Sequence, residues 1–292
     1  MKESVSKLKV FYFSSLILTA ICIVLFTLSM FIAFDTDTEY FNAKSPITHI
    51  QAVVAVISVL FFASAAFFIP KGTLPEGSPS GVVLTVFSSL VCGFIYISNT
   101  VLSYISMKNV AGMSDTAKYI FLAMMASGLI AALYFIYDAL SSSKKGLALK
   151  VFSAIFVIAN LILTIIYEHL DYFVPINSPR KVLLFLSFIF ASMFIVQELR
   201  FKAGIGQPRA YFFFAASSML LCGTMSVSHL VAHYTGVLKD SSFLIYYLIG
   251  LVFAFYSFTK LSAYVKYAEY SASSPVIDTE ENEQPTETDS EV

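Results

Sequence analysis

"FYFSSLILTAICIVLFTLSMFIAF" occupies residues 11–34 and contains no charged side chain. A helix of this length crosses the ~30 Å hydrocarbon layer of a bilayer, which takes about 20 apolar residues. The basic leader "MKESVSKLKV" precedes it, but the apolar stretch is too long for a signal-peptide core and lacks a small-residue cleavage site. We therefore interpret it as a retained first transmembrane helix.

The composition extends this interpretation to the whole chain. Of its 292 residues 58% are hydrophobic and 13% are charged, with a mean hydropathy of +0.78, whereas soluble domains carry about 25% charged residues. The net charge of -1 offers no basic surface for nucleic acid. We expect a polytopic membrane protein whose surroundings are the lipid bilayer and which does not bind nucleic acid.

Apolar stretches of spanning length occur eight times. They should be helices, because unpaired backbone groups in lipid cost several kcal/mol each and the ~10-residue alternation of a barrel is absent. The predicted fold class is an all-α membrane protein with eight transmembrane helices. The spans lie near 10–34, 47–70, 81–106, 118–140, 148–167, 182–201, 210–235 and 242–264.

Lysine and arginine residues set the orientation. Twelve of the 18 fall on the side of the N-terminus and six on the other side. The positive-inside rule therefore predicts that both termini are cytoplasmic, and we expect the plasma membrane. Residues 265–292 end in a run of acids and should form a disordered cytoplasmic tail, which either keeps the chain soluble or binds a protein partner.

An internal repeat divides the spans into two sets of four, residues 1–140 and 141–264. "CGFIYISNTVLSY" (92–104) aligns without a gap with "CGTMSVSHLVAHY" (222–234). Because each unit has an even number of spans, both would enter the membrane from the same side as parallel repeats. The alternative is that membrane composition converged by chance. Three further pairs occur in the same order: "EYFNAKSP" (39–46) with "DYFVPINSP" (171–179), "FFAS" (61–64) with "IFAS" (189–192), and "GLIAALY" (128–134) with "GLVFAFY" (250–256).

A polar face recurs in the two copies. On the seventh span Ser226, His229 and His233 follow Cys222 at spacings of four, three and four, so they share one helical face. The third span carries Asn99 and Ser103 on the corresponding face. Further polar residues fall at the same outer level, and such groups usually face the bundle interior or a cavity. The candidate ligand-binding residues are His229, His233, Ser226, Asn99, Ser103, His49, His169 and Glu168.

Several chemistries fit this set. His229 and His233 at i,i+4 are candidate metal ligands, to which His49, His169 or Glu168 could add a third. A haem held by two histidines, a quinone held by imidazole and amide groups, and histidines that only bond to neighbouring hydroxyls or water all remain open. The metalloprotease motif is excluded, because Leu230 follows the first histidine where the catalytic glutamate should stand.

Charged residues also occur toward the inner ends of the spans. Asp138 and Lys260 occupy equivalent repeat positions, so a pseudo-two-fold axis could join them as an ion pair that forms a cytoplasmic gate. The simpler interpretation, which the sequence favours, is that each ends separately at the headgroups. Glu198, Arg200 and Lys202 are interpreted as charges at the interface in the same way. Asn160, deep in the fifth span, should form an interhelical hydrogen bond.

The predicted spans contain no phosphate loop, nucleophile elbow or acid pair with helical spacing, so we do not expect an enzyme. The leading hypothesis is a carrier of a small molecule or ion, or a ligand-binding membrane protein, with a site that opens outward between the two repeats. A quinone- or haem-handling anchor of an oxidoreductase is the second hypothesis, and the eight-helix layout is similar to such anchors without sharing a motif. The third is a non-transporting sensor or scaffold subunit. The sequence does not choose a cofactor.

Overall fold

The computed structural model describes residues 2–35, 38, 40–69, 74–75, 82–109, 115–140, 146–170, 175, 178–238 and 244–273, with the side chains of 106–109 left undescribed. Within these ranges the chain forms eight long helices and one two-stranded hairpin, β1 (Phe34–Asp35) with β2 (Tyr40–Phe41). The helices are α1 (Lys2–Ile32), α2 (Pro46–Phe68), α3 (Val83–Asn109), α4 (Asp115–Leu140), α5 (Leu147–Leu170), α6 (Pro179–Lys202), α7 (Pro208–Tyr234) and α8 (Leu244–Ser273).

All eight helices are long and apolar enough to cross a membrane, and each corresponds to one predicted span. The chain is therefore an all-helical, multi-pass integral membrane protein. The largest difference from the predicted boundaries is at the last helix, because α8 continues to Ser273 and residues 265–273 belong to it rather than to a tail. The remainder of the predicted tail, 274–292, lies outside the described residues.

Local sequence explains where several helices begin and end. Ser45 and Ser178 are N-caps followed by proline at the first helical position, where a missing N–H costs nothing. The Ser178 hydroxyl accepts a hydrogen bond from the backbone N–H of Lys181 at 3.3 Å. Gly204 and Gly236 lie just beyond the ends of α6 and α7 with φ of 76° and 81°. Glycine adopts this left-handed conformation without a steric penalty, which allows the chain to leave the helix.

Short connections make some consecutive helices neighbours. The connection between α6 and α7 covers only 203–207, and these two helices pack closely along each other. The connection between α2 and α3 covers 69–82, and α2 packs on α1 and α7. α7 is surrounded by α1, α2, α6 and α8, and α8 lies against α7, α3, α1 and α6. α7 and α8 form the centre of the bundle.

Small and hydroxylated residues let these central helices approach closely. Ser88 on α3 and Thr259 on α8 share a hydrogen bond of 2.7 Å, and Ser257 on α8 donates to Ser218 on α7 at 3.0 Å. Asn160 on α5 donates to the carbonyl of Met124 on α4 at 2.7 Å. The predicted interhelical hydrogen bond of Asn160 is therefore confirmed.

Candidate functional site

The two ends of the bundle carry different chemistry. α1 begins and α8 ends at one end, where Lys9 and Glu269 form an ion pair of 2.5 Å; we call it the terminal end. The opposite end, which holds His229 and His233 near the end of α7, is called the histidine end.

Four charged side chains meet inside the bundle toward the terminal end. Asp138 comes from α4, Glu198 and Lys202 from α6, and Lys260 from α8. Lys260 Nζ lies 2.9 Å from Asp138 Oδ2 and 3.1 Å from Glu198 Oε1. Lys202 Nζ lies 3.5 Å from Glu198 Oε1 and also contacts Asp138 Oδ1. Each lysine thus bridges both acids, and we call this group the charge ring.

The charge ring is enclosed by protein. Its side chains are between 0% and 10% exposed. Two acids and two lysines sum to zero charge, which lowers the cost of placing them away from water. On α6 the spacing of Glu198 and Lys202 is i,i+4 with the acid first, the favourable order. Lys202 also stands in the last turn of α6, where a cation complements the helix dipole.

Hydroxyl groups complete the coordination of the acids. The Tyr211 hydroxyl on α7 donates to Glu198 Oε2 at 2.8 Å. Asp138 Oδ2 accepts hydrogen bonds from the Ser89 hydroxyl at 3.1 Å and the Tyr256 hydroxyl at 3.3 Å. Five helices, α3, α4, α6, α7 and α8, therefore supply one hydrogen-bonded network.

Aromatic rings cover the lysines. Lys202 Nζ donates to the Tyr134 hydroxyl at 3.2 Å and lies 5.0 Å from the centre of that ring. Lys260 Nζ lies 5.2 Å from the centre of the Tyr256 ring. These cation–π contacts add attraction in a site from which water is largely excluded.

The structure corrects the interpretation of Asp138 and Lys260 as separate charges that end at the headgroups. Their side chains are 3% and 7% exposed and form an ion pair, because α6 supplies an acid and a lysine between them. Glu198 and Lys202 are likewise part of the charge ring rather than interface charges. The i,i+4 spacing of an acid and a lysine was the sequence signal that could have revealed them.

At the histidine end, His229 is enclosed between helices. Its ring stacks on Tyr247 of α8 with centroids 4.7 Å apart and lies 6.3 Å from the ring of Phe26 on α1. The Nδ1 atom donates to the carbonyl of Met225, one turn earlier, at 2.7 Å. His233 is half-buried, and its Nδ1 has no hydrogen-bond partner among the described residues.

The other two histidines lie apart from this pair. His49 is exposed and its Nε2 donates to the carbonyl of Ala43 at 2.8 Å, and His169 is exposed at the end of α5. Glu168 is buried. Within the described part of the chain, no group of three or more His, Cys, Asp or Glu side chains could hold a metal ion. The metal hypothesis for His229 and His233 therefore gains no third ligand from the described residues.

The polar faces of α3 and α7 both pack against α8. On α3, Cys92 Sγ donates to the Val252 carbonyl at 3.5 Å. On α7, Ser226 lies so close to Gly250 that a Cβ added to the glycine would overlap the serine hydroxyl. Both faces therefore contact α8. Among the described residues, no hydrogen bond joins one face directly to the other.

Some polar atoms on these faces are buried without a partner in the described residues. The Tyr96 hydroxyl is one, although its ring stacks on Phe135 at 5.6 Å. The Ser226 hydroxyl is another. Asn99 is buried and accepts a long hydrogen bond of 3.4 Å from Ser103. Buried polar groups are normally satisfied, so the Tyr96 and Ser226 hydroxyls are exceptions among the described residues.

A scan against protein-family models, a search of curated proteins and a search of solved structures each gave no match to this chain. Its function therefore has to follow from its own geometry.

Proposed function

We propose that the protein is a carrier that moves a small molecule or ion across the membrane, with the charge ring as its gate at the terminal end. The observation that carries this proposal is the burial of four ionised side chains from three helices inside a bundle of membrane spans. Charged residues in such spans are costly and usually mark a pathway for ions or substrates.

The connectivity of the charge ring suits a gate. Glu198 accepts from both lysines, and both lysines lie on α6 and α8, which pack against each other. α4 packs along α3 and α5 and contributes Asp138 to the charge ring. If α4 moves away, both lysines keep Glu198 as a partner, so opening does not leave a buried cation unpaired.

A polar route leads from this gate toward the histidine end. On α3, Ser89 contacts the charge ring, and Tyr96, Asn99 and Ser103 follow at helical spacing along a face turned to the interior. In the proposed carrier the solute site lies between this face and the polar face of α7. Its proposed lining is His229, His233, Ser226, Asn99 and Ser103, with His49, His169 and Glu168 nearer the mouth.

We further propose that α1–α4 and α5–α8 are parallel repeats that rock about an axis along the membrane normal. Three kinds of helix contact occur in both sets. α1 packs on α2 as α5 packs on α6, and α3 packs on α4 as α7 packs on α8. The contact of α4 with α5 corresponds to that of α8 with α1. Asp138 and Lys260, at equivalent positions, touch each other, as residues beside a two-fold axis would. The packing of α7 on α6, α1 and α2, and of α3 on α8, departs from this symmetry.

The orientation is part of the same proposal. The start of α1 and the end of α8 lie at one end of the bundle, and the excess of lysine and arginine on that side supports placing it in the cytoplasm. The proposed location is the plasma membrane. Impermeant thiol labelling of a single cysteine introduced at position 233 tests the orientation: labelling from outside intact cells supports it, and labelling only from the cytoplasmic face reverses it.

Cys92 provides a natural reporter for the gate. It is fully buried, and its thiol lies near enough to Asp138 and Lys260 to interact with their charges. Replacing the other two cysteines, Cys22 and Cys222, by serine leaves Cys92 as the single thiol. An impermeant maleimide added at the terminal end should label Cys92 slowly while the gate is closed.

Asp138→Asn should open the gate. Removing one partner of a buried ion pair costs about 3–5 kcal/mol, so the labelling rate of Cys92 should rise roughly a hundredfold or more. The matched control is Asp115→Asn at the opposite end of α4, where the carboxylate is exposed and pairs with Lys118; it should leave the rate unchanged. Unchanged labelling in a folded Asp138→Asn variant would show that the charge ring is not a gate.

Transport itself is tested without knowing the solute. Proteoliposomes are loaded with a mixed extract of small cellular solutes, and their contents are followed by mass spectrometry against protein-free liposomes. At least one solute should be lost faster with the wild-type protein, and its loss should change in Asp138→Asn. Identical loss of every solute from both preparations counts against a carrier.

A further inference from the structure

Two hydroxyl groups inside the bundle have no acceptor for their protons within the described residues. They belong to Tyr96 on α3 and Ser226 on α7, and both side chains are fully buried. Serine hydroxyls in helices often donate to a backbone carbonyl one turn earlier, as those of Ser187 and Ser192 on α6 do at 2.7 and 2.8 Å. Both protons are therefore available to an acceptor that is not part of the described chain.

Both residues lie against one turn of α8. The Tyr96 ring meets Phe253 edge-on with centroids 6.3 Å apart, and a Cβ added to Gly250 would overlap the Ser226 hydroxyl. The Tyr96 hydroxyl also lies near enough to the Cys222 thiol, one turn before Ser226, to interact with it. α3 and α7 thus each present a hydroxyl to the same turn of α8, from equivalent positions of the proposed repeats.

The two hydroxyls lie between the charge ring and the histidine end. Tyr96 follows Ser89, which donates to Asp138, by seven residues, or about 10 Å along α3. Ser226 precedes His229 by three residues on α7. This level is part of the polar route proposed for the solute.

The described contacts of the two residues are with uncharged groups. The Tyr96 ring stacks on Phe135 at 5.6 Å, and its hydroxyl interacts with the thiols of Cys92 and Cys222. Ser226 adjoins a glycine of α8. A charged group at this level would lose its water without gaining a counter-charge, which is costly inside a membrane. An uncharged polar group loses less and gains two hydrogen-bond donors.

We propose that the solute of the carrier is a small uncharged polar molecule, and that the hydroxyls of Tyr96 and Ser226 bind it by donating hydrogen bonds to its oxygen atoms. This inference rests on the proposed function. Hydroxyl and carbonyl oxygens both fit, because each accepts a hydrogen bond without carrying a charge. Contacts with Phe135 and Phe253 hold the Tyr96 ring and so fix the direction of its hydroxyl. The solute class is therefore that of polyols and neutral amides.

Proteoliposomes loaded with a mixed extract of small cellular solutes test this class. The solutes that the wild-type protein releases faster than protein-free liposomes should be uncharged at neutral pH and carry hydroxyl or carbonyl oxygens. Tyr96→Phe and Ser226→Ala should each slow this release by about two- to tenfold, the contribution of one hydrogen bond. The matched control is Ser228→Ala, because the Ser228 hydroxyl accepts a hydrogen bond from Thr27 of α1 at 3.2 Å. This variant should release the same solutes at the wild-type rate.

Unfolding in mixed detergent and dodecyl sulfate micelles separates solute binding from a structural role. Because the Tyr96 hydroxyl has no partner in the described part of the chain, Tyr96→Phe should unfold at the same or a higher dodecyl sulfate fraction than the wild type. Tyr211→Phe makes the same change at a hydroxyl bonded to Glu198 and should unfold at a lower fraction. A lower fraction for Tyr96→Phe would show that its hydroxyl bonds within the protein, which overturns the assignment.

The transport outcomes distinguish this inference from the proposed function. Release of charged solutes alone by the wild-type protein refutes the solute class and leaves the carrier standing. Wild-type release rates in folded Tyr96→Phe or Ser226→Ala refute the assignment of that hydroxyl to solute binding. If the wild-type protein releases no solute faster than protein-free liposomes, the carrier itself is contradicted and the inference falls with it.

Discussion

Replacing Lys260 by methionine should destabilise the folded protein by about 3–5 kcal/mol, the cost of removing one partner from a buried ion pair. Methionine nearly fills the volume of the lysine stem but carries no charge. The substitution leaves Asp138 and Glu198 to share Lys202, so the charge ring becomes singly negative in a site where the side chains are at most 10% exposed. Each acid loses a contact of 2.9 or 3.1 Å.

The double variant Lys260→Met/Glu198→Gln isolates the charge effect. It restores a neutral pair, Asp138 with Lys202, and should therefore be less destabilised than the sum of the single variants by roughly 0.5–3 kcal/mol. The assay is reversible unfolding in mixed detergent and dodecyl sulfate micelles, followed by circular dichroism of the helices.

An exposed ion pair provides the comparison for this measurement. Lys9 and Glu269 are 38% and 52% exposed, so Lys9→Met should cost only about 0.2–1 kcal/mol. Two results would contradict this prediction: a loss of stability in Lys260→Met no larger than in Lys9→Met, or simple additivity in the double variant. Either would mean that the four charges do not form the buried charge ring.

Three smaller predictions use the same unfolding assay. Gly250→Ala should cost about 1–3 kcal/mol, because its Cβ would overlap a methionine and a serine of α7, whereas Gly223→Ala places the Cβ at 3.5 Å or more and should be nearly neutral. Asn160→Leu should cost about 0.6–2 kcal/mol through loss of the hydrogen bonds to α4, and no loss would remove its role in packing. Tyr211→Phe should cost about 1.5–3 kcal/mol, because its hydroxyl donates to a charged carboxylate, while Tyr119→Phe at an exposed position should have no effect.

Span number was predictable because the thickness of the hydrocarbon layer imposes a minimum apolar length on every crossing. The end of α8 was not, because this length sets a lower limit and no upper one. Beyond residue 264, Val265 and Ala268 remain buried against neighbouring helices, and Glu269 pairs with Lys9 of α1. These contacts extend the helix to Ser273 although the sequence becomes more polar after residue 264, where the predicted span therefore ended.

The charge ring shows a different limit of sequence reasoning. In the sequence, a lysine near the end of a span looks the same whether its ammonium group contacts the headgroups or a buried acid. What distinguishes the two is the neighbouring helix, and only the order of helices in the bundle brings Glu198 and Lys202 of α6 between Asp138 and Lys260. The hydrogen bond of Asn160 was easier to predict, because an amide deep in a span cannot reach the headgroups and must bond to an adjacent helix.

The same packing accounts for an imidazole at position 229 where the first copy of the proposed repeat has an amide at position 99. α7 is enclosed by four helices, and the side chain at 229 is pressed against the ring of Tyr247. A flat ring that stacks on an aromatic face and donates one N–H to its own backbone satisfies this site, which an amide would fill poorly. His233 lies one turn farther out and is half-buried, with Nδ1 unbonded among the described residues, so in the proposed carrier it is the member of the pair that would contact a solute.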